Sequence, residues 1–331
     1  MPSGTRPHIV LSRTDRVGDL ILSTPAIATM RRSFPDARIT MVCSRYNSVV
    51  VARSTDVDSV VKMPSEVKPE MFGRRFANVD LAIALAPRAL DMRIVAATRA
   101  PRRIGYTYAR RYLTRVVAHR WLSELLISEA DPQRAEHHPT EVVRHEVDQL
   151  LALAQAAGAR EIVRDLVVRI DEGDRAQVRD LPSRPIVVHI GKRWGEAGST
   201  PENLVQLFAD LRALGRPLVA TYGDDGRELA ALVRERNAAD RLMGDLAFEV
   251  WAATFERAAC VVTIDTGATH VASAMKRPTV VLFEYRYFHL SSQEWSPYRV
   301  PNAVLRKPRT ETDAALRASR AQIVEAVATL L

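Results

Sequence analysis

The stretch TIDTGATHVASAM at residues 263–275 combines side chains that suit an anionic ligand. An apolar run ends at Asp265, the turn residues Thr266 and Gly267 follow, and His270 lies near the start of a predicted helix. Exposed N–H groups at a helix start, the helix dipole and the close approach that a glycine permits together suit a diphosphate. The alternative is a structural turn that caps the helix, with His270 paired locally.

Two further loops follow predicted strands in the same half of the sequence. GKRWGEAGST at 191–200 carries Lys192 and Arg193, which could neutralise phosphate charge, and YGDDGRE at 222–228 carries Asp224 and Asp225, which could bond ribose hydroxyls. The alternatives are that Lys192 and Arg193 are solvated cations, and that Asp224 and Asp225 belong to an acidic turn without a ligand. Because ligands bind outside the carboxyl ends of parallel strands, we expect all three loops to meet at one edge of a sheet.

Asp19 lies in the stretch RTDRVGDLILSTPAI at 13–27, between an apolar run and a helical pattern. One interpretation is that Asp19 caps a helix, because a carboxylate accepts hydrogen bonds from first-turn N–H groups. However, Thr24 followed by Pro25 is typical of a helix start. If the helix starts there, Asp19 lies on the strand-to-helix connection, where open α/β sheets bind ligands.

Short apolar runs alternate with helical patterns in both halves of the chain. Strands are predicted at 8–13, 38–43, 58–63 and 79–85 in the first half, and at 185–191, 217–223, 260–265 and 278–283 in the second. Such continuous apolar runs are typical of parallel sheets covered on both faces. The pattern predicts two doubly wound α/β domains.

A polar, charged stretch at 171–185 predicts the boundary between residues 1–175 and 176–331. In the second domain, Ser199 and Glu202 fit a capping box at the start of a helix. A terminal helix is expected to dock on one of the domains through the apolar stripe Leu316, Ile323, Val327 and Leu330.

The length of 331 residues, of which 47% are hydrophobic, is enough for two domain cores. The first dozen residues lack the apolar stretch of a signal peptide, and no apolar run of about 18 residues could span a bilayer. We therefore expect a cytoplasmic protein, with peripheral contact to the inner membrane surface left open. Cys43 and Cys260 lie in apolar runs and are predicted to be small buried side chains rather than metal ligands or a disulfide.

Positive charge is concentrated in one segment of this basic chain, whose net charge is +8. Between Arg93 and Arg120 there are eight arginines and no acidic residue. Such a segment suits phosphates on a sugar-lipid, a membrane surface or nucleic acid, and the alternative is a solvated basic face. Because no nucleic-acid module accompanies it, a nucleic-acid partner is not expected.

Several motifs are missing from the sequence. It contains no G-x-G-x-x-G, no G-x-x-x-x-G-K-[ST] and no G-x-S-x-G. The loops typical of dehydrogenases, kinases and hydrolases are therefore missing from the sequence. His137, His138 and His145 in HHPTEVVRHE lack the spacing of metal ligands, so no metal site is expected there.

Taken together, the motifs resemble glycosyltransferase family 9, the ADP-heptose lipopolysaccharide heptosyltransferases. The resemblance covers nearly the whole chain through RTDRVGDLILSTPAI, FPDARITMV, RRIGY, RHEVDQLLALAQAAG, VVHIGKRW, DTGATHVASAMKRPTVVLF and EWSPY. It implies a glycosyltransferase B fold, with two Rossmann-like domains facing a central cleft. The N-terminal domain would bind the acceptor and the C-terminal domain the nucleotide sugar.

The resemblance also implies roles for individual residues. Asp19 corresponds to the catalytic base of the family. The donor-binding positions are Lys192, Asp225, Asp265, Thr266, Gly267 and His270. We assign the acceptor to arginines of the first domain, namely Arg16, Arg102, Arg103, Arg110 and Arg111.

The implied activity is an inverting, metal-independent and cofactor-free transfer of a heptose from a nucleoside diphosphate, expected to be ADP-heptose, to a lipopolysaccharide core or related glycan. An aspartate with an ordinary pKa of about 3.9 is ionised near neutrality and can accept the proton of the acceptor hydroxyl. Two alternatives stay open. One is a non-catalytic relic that binds a nucleotide sugar or an anionic glycan, and the other is a transferase that uses another nucleotide sugar for a capsule or a secondary metabolite.

One loop departs from the family pattern. Where the family continues from its last strand with Phe-Gly, this sequence has FEYRYFHLSSQEW, which introduces Glu284, Tyr285, Tyr287 and Phe288. The aromatic side chains could stack on a ligand or pack between the domains. The departure leaves the identity of the nucleotide sugar open.

Overall fold

The computed structural model describes residues 6–128 and 142–331. The chain divides into two units, Met1–Val167 and Val168–Leu331. The polar stretch at 171–185 falls in the second unit, just after this division, and contains a short helix with a capping box formed by Asp171 and Asp174. His137 and His138 lie outside the described residues.

The first unit is built on a six-stranded parallel sheet with the strand order β3-β2-β1-β4-β5-β6. Its strands are β1 His8–Arg13, β2 Arg38–Ser44, β3 Ser59–Met63, β4 Leu81–Ala84, β5 Arg102–Tyr108 and β6 Glu124–Ser128. Its helices are α1 Val17–Ser33, α2 Pro69–Gly73, α3 Ala89–Ala97, α4 Tyr112–Trp121 and α5 Glu146–Ala156. The four predicted strands are confirmed, whereas β5 and β6 were not predicted because they lie in or beside the arginine-rich segment.

Helix α1 begins at Val17, so the prediction of a helix start at Thr24 and Pro25 is wrong. Pro25 lies inside the helix, where it lacks the N–H that would bond the carbonyl of Ile21. The hydroxyl of Thr24 donates to that carbonyl instead, at 2.7 Å. The proline is therefore tolerated, and Asp19 lies in the first helical turn rather than on a connection.

The second unit repeats this architecture with the strand order β12-β11-β10-β7-β8-β9. Its strands are β7 Ile186–Ile190, β8 Leu218–Tyr222, β9 Arg241–Gly244, β10 Cys260–Ile264, β11 Thr279–Phe283 and β12 Asn302–Arg306. Its helices are α6 Glu172–Ala176, α7 Pro201–Arg212, α8 Arg227–Glu235, α9 Phe248–Glu256, α10 Gly267–Ala274, α11 Phe288–Glu294 and α12 Asp313–Leu330. The cap of α7 is Thr200, whose side chain accepts from Asn203 N, and not the predicted Ser199.

Both sheets have the strand order of a Rossmann fold. The chain reverses its direction of winding between β1 and β4 in the first sheet, and between β7 and β10 in the second. In such sheets the crevice outside the carboxyl ends of these central strands is the usual ligand site. The prediction of two doubly wound domains is confirmed.

The core of the second unit explains where the terminal helix docks. Ile323 and Val327 of α12 are buried in the same apolar cluster as β7 and β10, so α12 packs on the second unit. Cys43 and Cys260 are buried free thiols, as predicted. Within the described ranges, no helix is both long and apolar enough to cross a membrane.

Candidate active site

At the carboxyl end of β1, one buried arginine contacts three carboxylates. Arg13 is 2% exposed, and its Nη1 donates to Glu146 Oε1 at 2.6 Å. Its Nε donates to Asp15 Oδ1 at 3.0 Å, and its Nη2 lies 3.4 Å from Asp19 Oδ1. Nη1 also donates to the carbonyl of Leu85, which follows β4. The cluster therefore lies between β1 and β4, at the switch point of the first sheet.

Residues from three other segments of the first unit hold this cluster in place. Glu146 begins α5 and is 1% exposed, and the hydroxyl of Tyr106 on β5 donates to its carboxylate at 2.9 Å. Asn47 Nδ2 donates to the carbonyl of Arg13 at 3.0 Å, which holds the end of β1 itself. Only Asp19 and Asp15 reach the surface, with 21% and 13% of their side chains exposed.

The environment of Asp19 changes its acidity. Burial raises the pKa of Asp19 to about 7, the negative charges of Asp15 and Glu146 act in the same direction, and Arg13 opposes them. Burial also works against the charge of Arg13, but its three carboxylate neighbours hold its pKa well above the ordinary value. The expectation of an ordinary aspartate pKa is therefore wrong, because the carboxyl is neither fully solvated nor alone.

A second buried carboxyl lies beneath the cluster. Asp91 of α3 is fully buried and accepts hydrogen bonds from the hydroxyls of Ser12, at 2.8 Å, and Thr14, at 3.1 Å. Burial, followed by the charge of Asp15, raises the pKa of Asp91 to about 6. Asp91 thus ties the start of α3 to the residues on either side of Arg13.

The structure separates the predicted acceptor arginines into two groups. Arg16 is the N-cap of α1 and is exposed next to the cluster, and Arg110 and Arg111 follow the carboxyl end of β5. Arg102 pairs in register with Leu81, which pairs with Ile9 near the start of β1.

Arg102 and Arg103 thus lie at the opposite edge of the sheet from Asp19. Arg102 bonds Glu124 and two carbonyls at the end of α5, and Arg103 bonds the carbonyl of Trp121. The structure therefore does not bring these two arginines together with Asp19.

In the second unit, the loops after β7, β8 and β10 meet at Gly191. A Cβ placed on Gly191 would lie 3.3 Å from Asp225 Oδ2 and 3.8 Å from the methyl carbon of Thr266. Asp225 is exposed, and Asp265, Thr266 and Gly267 are partly exposed. The expected convergence of the three loops is therefore present, and the lack of a side chain at Gly191 leaves room between them.

Arg193 links two of these loops directly. Its Nη1 donates to Asp265 Oδ2 at 3.1 Å and to the Asp265 carbonyl at 2.8 Å, while its Nε lies 3.9 Å from Glu284 Oε1. Lys192 is 64% exposed, and its Nζ lies 3.6 Å from Glu196 Oε1. The two cations thus differ, because Arg193 holds the loops together whereas Lys192 extends into solvent.

The start of α10 carries an internal cap, as in the alternative interpretation of the Asp-Thr-Gly turn. The Thr266 hydroxyl caps the helix by accepting from Ala268 N at 3.4 Å. His270 is buried within the helix.

The loop after β11, which departs from the family pattern, contacts Arg306 of β12. The Arg306 guanidinium lies 3.6 Å from the centroid of the Tyr285 ring and donates to the Tyr285 carbonyl. It also lies 5.5 Å from the Phe288 ring. Tyr285 therefore packs against a cation of its own unit.

Comparisons with known proteins point to the same family as the sequence motifs. The sequence profile of glycosyltransferase family 9 (heptosyltransferase) matches residues 218–318. Lipopolysaccharide heptosyltransferase 3 of Escherichia coli K12 is 21% identical over 292 residues, which are 80% of this chain and 79% of that protein. Both matches support the resemblance of this chain to glycosyltransferase family 9. The prediction that it is a glycosyltransferase is thereby confirmed.

Solved structures of this family share the fold of the chain. The family 9 glycosyl transferase of Veillonella parvula DSM 2008 matches with a TM-score of 0.75 at 18% identity, covering 98% of this chain and 97% of that one. E. coli ADP-heptose lps heptosyltransferase II matches with a TM-score of 0.70 at 19% identity and 98% coverage of both chains. E. coli heptosyltransferase WaaC with ADP-2-deoxy-2-fluoro heptose gives 0.68 at 17% identity, with coverages of 96% and 99%. The predicted glycosyltransferase B fold is confirmed.

The matched family 9 region contains most of the predicted donor site. Asp225, Asp265, Thr266, Gly267 and His270 lie within residues 218–318, and Lys192 and Asp19 lie outside them. The sequence did not indicate Arg13 or Glu146, since they are 133 residues apart and only the fold brings them together. The one available signal was the pair of aspartates that follows Arg13 within the family motif.

Proposed function

We propose that this chain acts as a family 9 heptosyltransferase and transfers a heptose from ADP-heptose to a lipopolysaccharide core or a related glycan, with inversion at the anomeric carbon. The observation that carries the proposal is Asp19, a partly exposed carboxyl at the switch point of the first sheet, beside the buried Arg13 and Glu146. The names of the similar E. coli proteins, which refer to ADP, heptose and lipopolysaccharide, support the choice of donor and acceptor.

In the proposed step, ionised Asp19 accepts the proton of an acceptor hydroxyl. The hydroxyl oxygen forms a bond to the anomeric carbon while the bond from that carbon to the diphosphate breaks, and the electron pair leaves with the diphosphate. A base is most effective when its pKa lies near the working pH. A carboxyl with a pKa of about 7 therefore suits this role better than an ordinary aspartate.

The second unit would bind the donor. Lys192 and the N–H groups at the start of α10 would face the diphosphate, and Asp225 would accept hydrogen bonds from the ribose. Preorganised donors aimed at developing charge are worth on the order of 3 kcal/mol each. We propose that these groups stabilise the leaving diphosphate without a divalent cation.

The acceptor would bind on the first unit. A cavity of about 650 Å³ opens there at the carboxyl ends of β1, β2 and β3, lined among others by Thr14, Arg45, Tyr46 and Lys68. Arg45 and Lys68 are exposed cations suited to phosphates or carboxylates of a glycan. We therefore assign the acceptor to this cavity together with Arg16, Arg110 and Arg111, and leave out Arg102 and Arg103.

The experiment that tests the proposed function is ADP release from ADP-heptose in the presence of a lipopolysaccharide core fragment. Asp19→Asn should lower turnover by roughly 10²- to 10⁴-fold and leave ADP affinity nearly unchanged. Asp36→Asn, which changes an exposed aspartate of the same unit, is the matched control. Unchanged turnover in Asp19→Asn would remove Asp19 from the base role.

Calorimetric titration with ADP, UDP and GDP tests the donor separately. Asp265→Ala should abolish ADP binding, because its carboxylate fixes Arg193 between two loops. Preference for UDP or GDP would keep the transferase and discard ADP-heptose. ADP binding without turnover would instead identify a binding module.

A further inference from the structure

Helix α4 places its apolar side chains on the solvent side. Leu113 is 84% exposed, Val116 69%, Tyr112 65% and Val117 39%, whereas the only buried residue of the helix is Ala118. A surface helix of a globular protein normally turns its apolar stripe toward the core. We call these four exposed residues the α4 surface.

The charged residues of α4 and of the segment before it are all positive. Arg120 lies on the same helical face, one turn from Val116 and Val117. Arg111 caps the helix, with its guanidinium 4.6 Å from the Tyr108 ring, and His119 lies in the last turn. No acidic residue occurs in α4 or anywhere between Arg93 and Arg120.

We propose that the α4 surface docks on an anionic lipid bilayer. Apolar side chains with a basic rim are the composition of helices that lie in a membrane interface, where the apolar face enters the lipid and the cations meet anionic headgroups. A second copy of the chain fits this surface less well, since docking α4 on α4 would place like charges together. The proposal does not depend on the transferase reaction.

The test is sedimentation of the full chain with vesicles of phosphatidylcholine, with and without about 30% phosphatidylglycerol, a content that sets the surface charge. The chain should bind the anionic vesicles and be released by salt. Leu113→Ser with Val116→Ser should weaken binding at least tenfold, and Arg120→Gln severalfold. Met71→Ser, which removes another side chain that is 64% exposed in the same unit, should bind like the parent chain.

Three outcomes would overturn the proposal. They are no binding to anionic vesicles, equal binding by the Leu113→Ser, Val116→Ser variant, and a dimer in light scattering that this variant abolishes. Both leucine and valine are exposed, so unfolding is not expected to obscure the comparison.

A separate observation concerns Lys307, which follows β12 and is 1% exposed. Its ammonium donates to the carbonyl of Arg193 and to the carbonyl of Glu196, the latter at 2.9 Å. These carbonyls belong to the turn after β7 that carries Lys192. A buried lysine is costly unless its charge is compensated, so this contact requires a structural or functional reason.

The segment after Lys307 holds the same loop at a second point. Glu311 Oε1 accepts from Gly198 N at 3.1 Å. Gly198 has a φ of +79°, and a Cβ on it would lie 2.1 Å from the carbonyl oxygen of Pro308. Only glycine allows this approach, so the segment 307–311 and the loop 192–198 are fitted to each other.

We infer that Lys307 is a positioning residue that fixes the turn 192–195 for the donor diphosphate, an inference that rests on the proposed function. Its ammonium adds to the backbone hydrogen bonds of the turn, which run from Trp194 N to the Gly191 carbonyl and from Glu196 N to the Arg193 carbonyl. The flexible side chain of Lys192 then extends from a turn whose backbone is held in place. Lys307 is not expected to touch the donor, because its side chain is buried and its Nζ donates to two carbonyls of the loop.

The test compares Lys307→Met and Lys307→Arg in ADP calorimetry and in ADP release. Lys307→Met should weaken ADP binding and raise the donor KM at least tenfold with a smaller change in kcat, and Lys307→Arg should recover part of the loss. Should Lys307→Met fail to fold by circular dichroism, Lys307→Arg alone should still raise KM. If the parent chain does not bind ADP, the proposed function fails. If the parent binds ADP and both variants bind equally well, the inference about Lys307 is wrong.

Discussion

Replacing Asp19 by Asn should stabilise the first unit at alkaline pH while it removes turnover. The pKa of Asp19 lies at about 7 instead of 3.8, chiefly because burial disfavours the charged form. Between these values the unfolded chain has lost the Asp19 proton while the folded chain keeps it, so stability falls as the pH rises. The loss is complete once the pH exceeds the folded pKa.

The magnitude follows from the size of this difference. Each pH unit between the two pKa values corresponds to about 1.4 kcal/mol, so the ionised carboxyl costs the fold roughly 4 kcal/mol at pH 8 or above. Below about pH 4 the carboxyl is protonated in both states and the cost vanishes. Asparagine resembles the protonated form and does not ionise. The advantage of Asp19→Asn should therefore grow from near zero to a few kcal/mol across this range.

Urea unfolding at intervals between pH 5 and pH 9 measures this advantage. Pulsed hydrogen exchange of the fully buried strand β1 reports unfolding of the first unit separately from the second. Asp36→Asn, which changes an exposed carboxyl of the same unit, is the matched control. An advantage of equal size at pH 5 and pH 9 would refute the reasoning, since it would show that Asp19 is not protonated in the fold.

Three further predictions concern the neighbours of Asp19 and the donor site. Glu146→Gln removes a negative charge that raises the pKa of Asp19. The acidic limb of the pH profile of kcat/KM for ADP release should therefore move to lower pH. Tyr106→Phe keeps that charge and should leave the acidic limb in place. Glu284→Gln removes a carboxylate 3.9 Å from Arg193 Nε, and calorimetry should show ADP binding severalfold tighter, whereas weaker binding would indicate that Glu284 helps to fix the loop. ADP release should be unchanged in excess EDTA, and loss of activity that Mg²⁺ restores would contradict the metal-independent step.

The sequence predicted the loops of the donor site more completely than the surroundings of Asp19, and the reason is physical. The donor loops each follow a continuous apolar strand, so the topology of a parallel sheet is enough to bring them together. Asp19 instead depends on Glu146 and Tyr106, which come from distant elements. No local pattern encodes a contact of that kind.

Two misinterpretations have local causes. Thr24 and Pro25 have the composition of a helix start, but the Thr24 hydroxyl replaces the N–H that the proline lacks, so the helix continues through them. Arg102 and Arg103 belong to a strand that the surrounding arginines obscured. Because that strand was not predicted, the sequence could not show at which edge of the sheet these arginines lie.

Burial and the crowding of carboxylates around Arg13 together explain the raised pKa of Asp19. One guanidinium cannot balance three buried negative charges, and its contacts are unequal, at 2.6 Å to Glu146, 3.0 Å to Asp15 and 3.4 Å to Asp19. The carboxyl with the longest contact gains least from the cation, and it is Asp19 whose pKa rises to about 7. Asp19 is also the most exposed of the three, so a ligand could reach the carboxyl whose pKa is raised to about 7. A general base must be both accessible to a ligand and able to titrate near neutral pH. An ion cluster with a purely structural role does not require both properties in the same carboxyl.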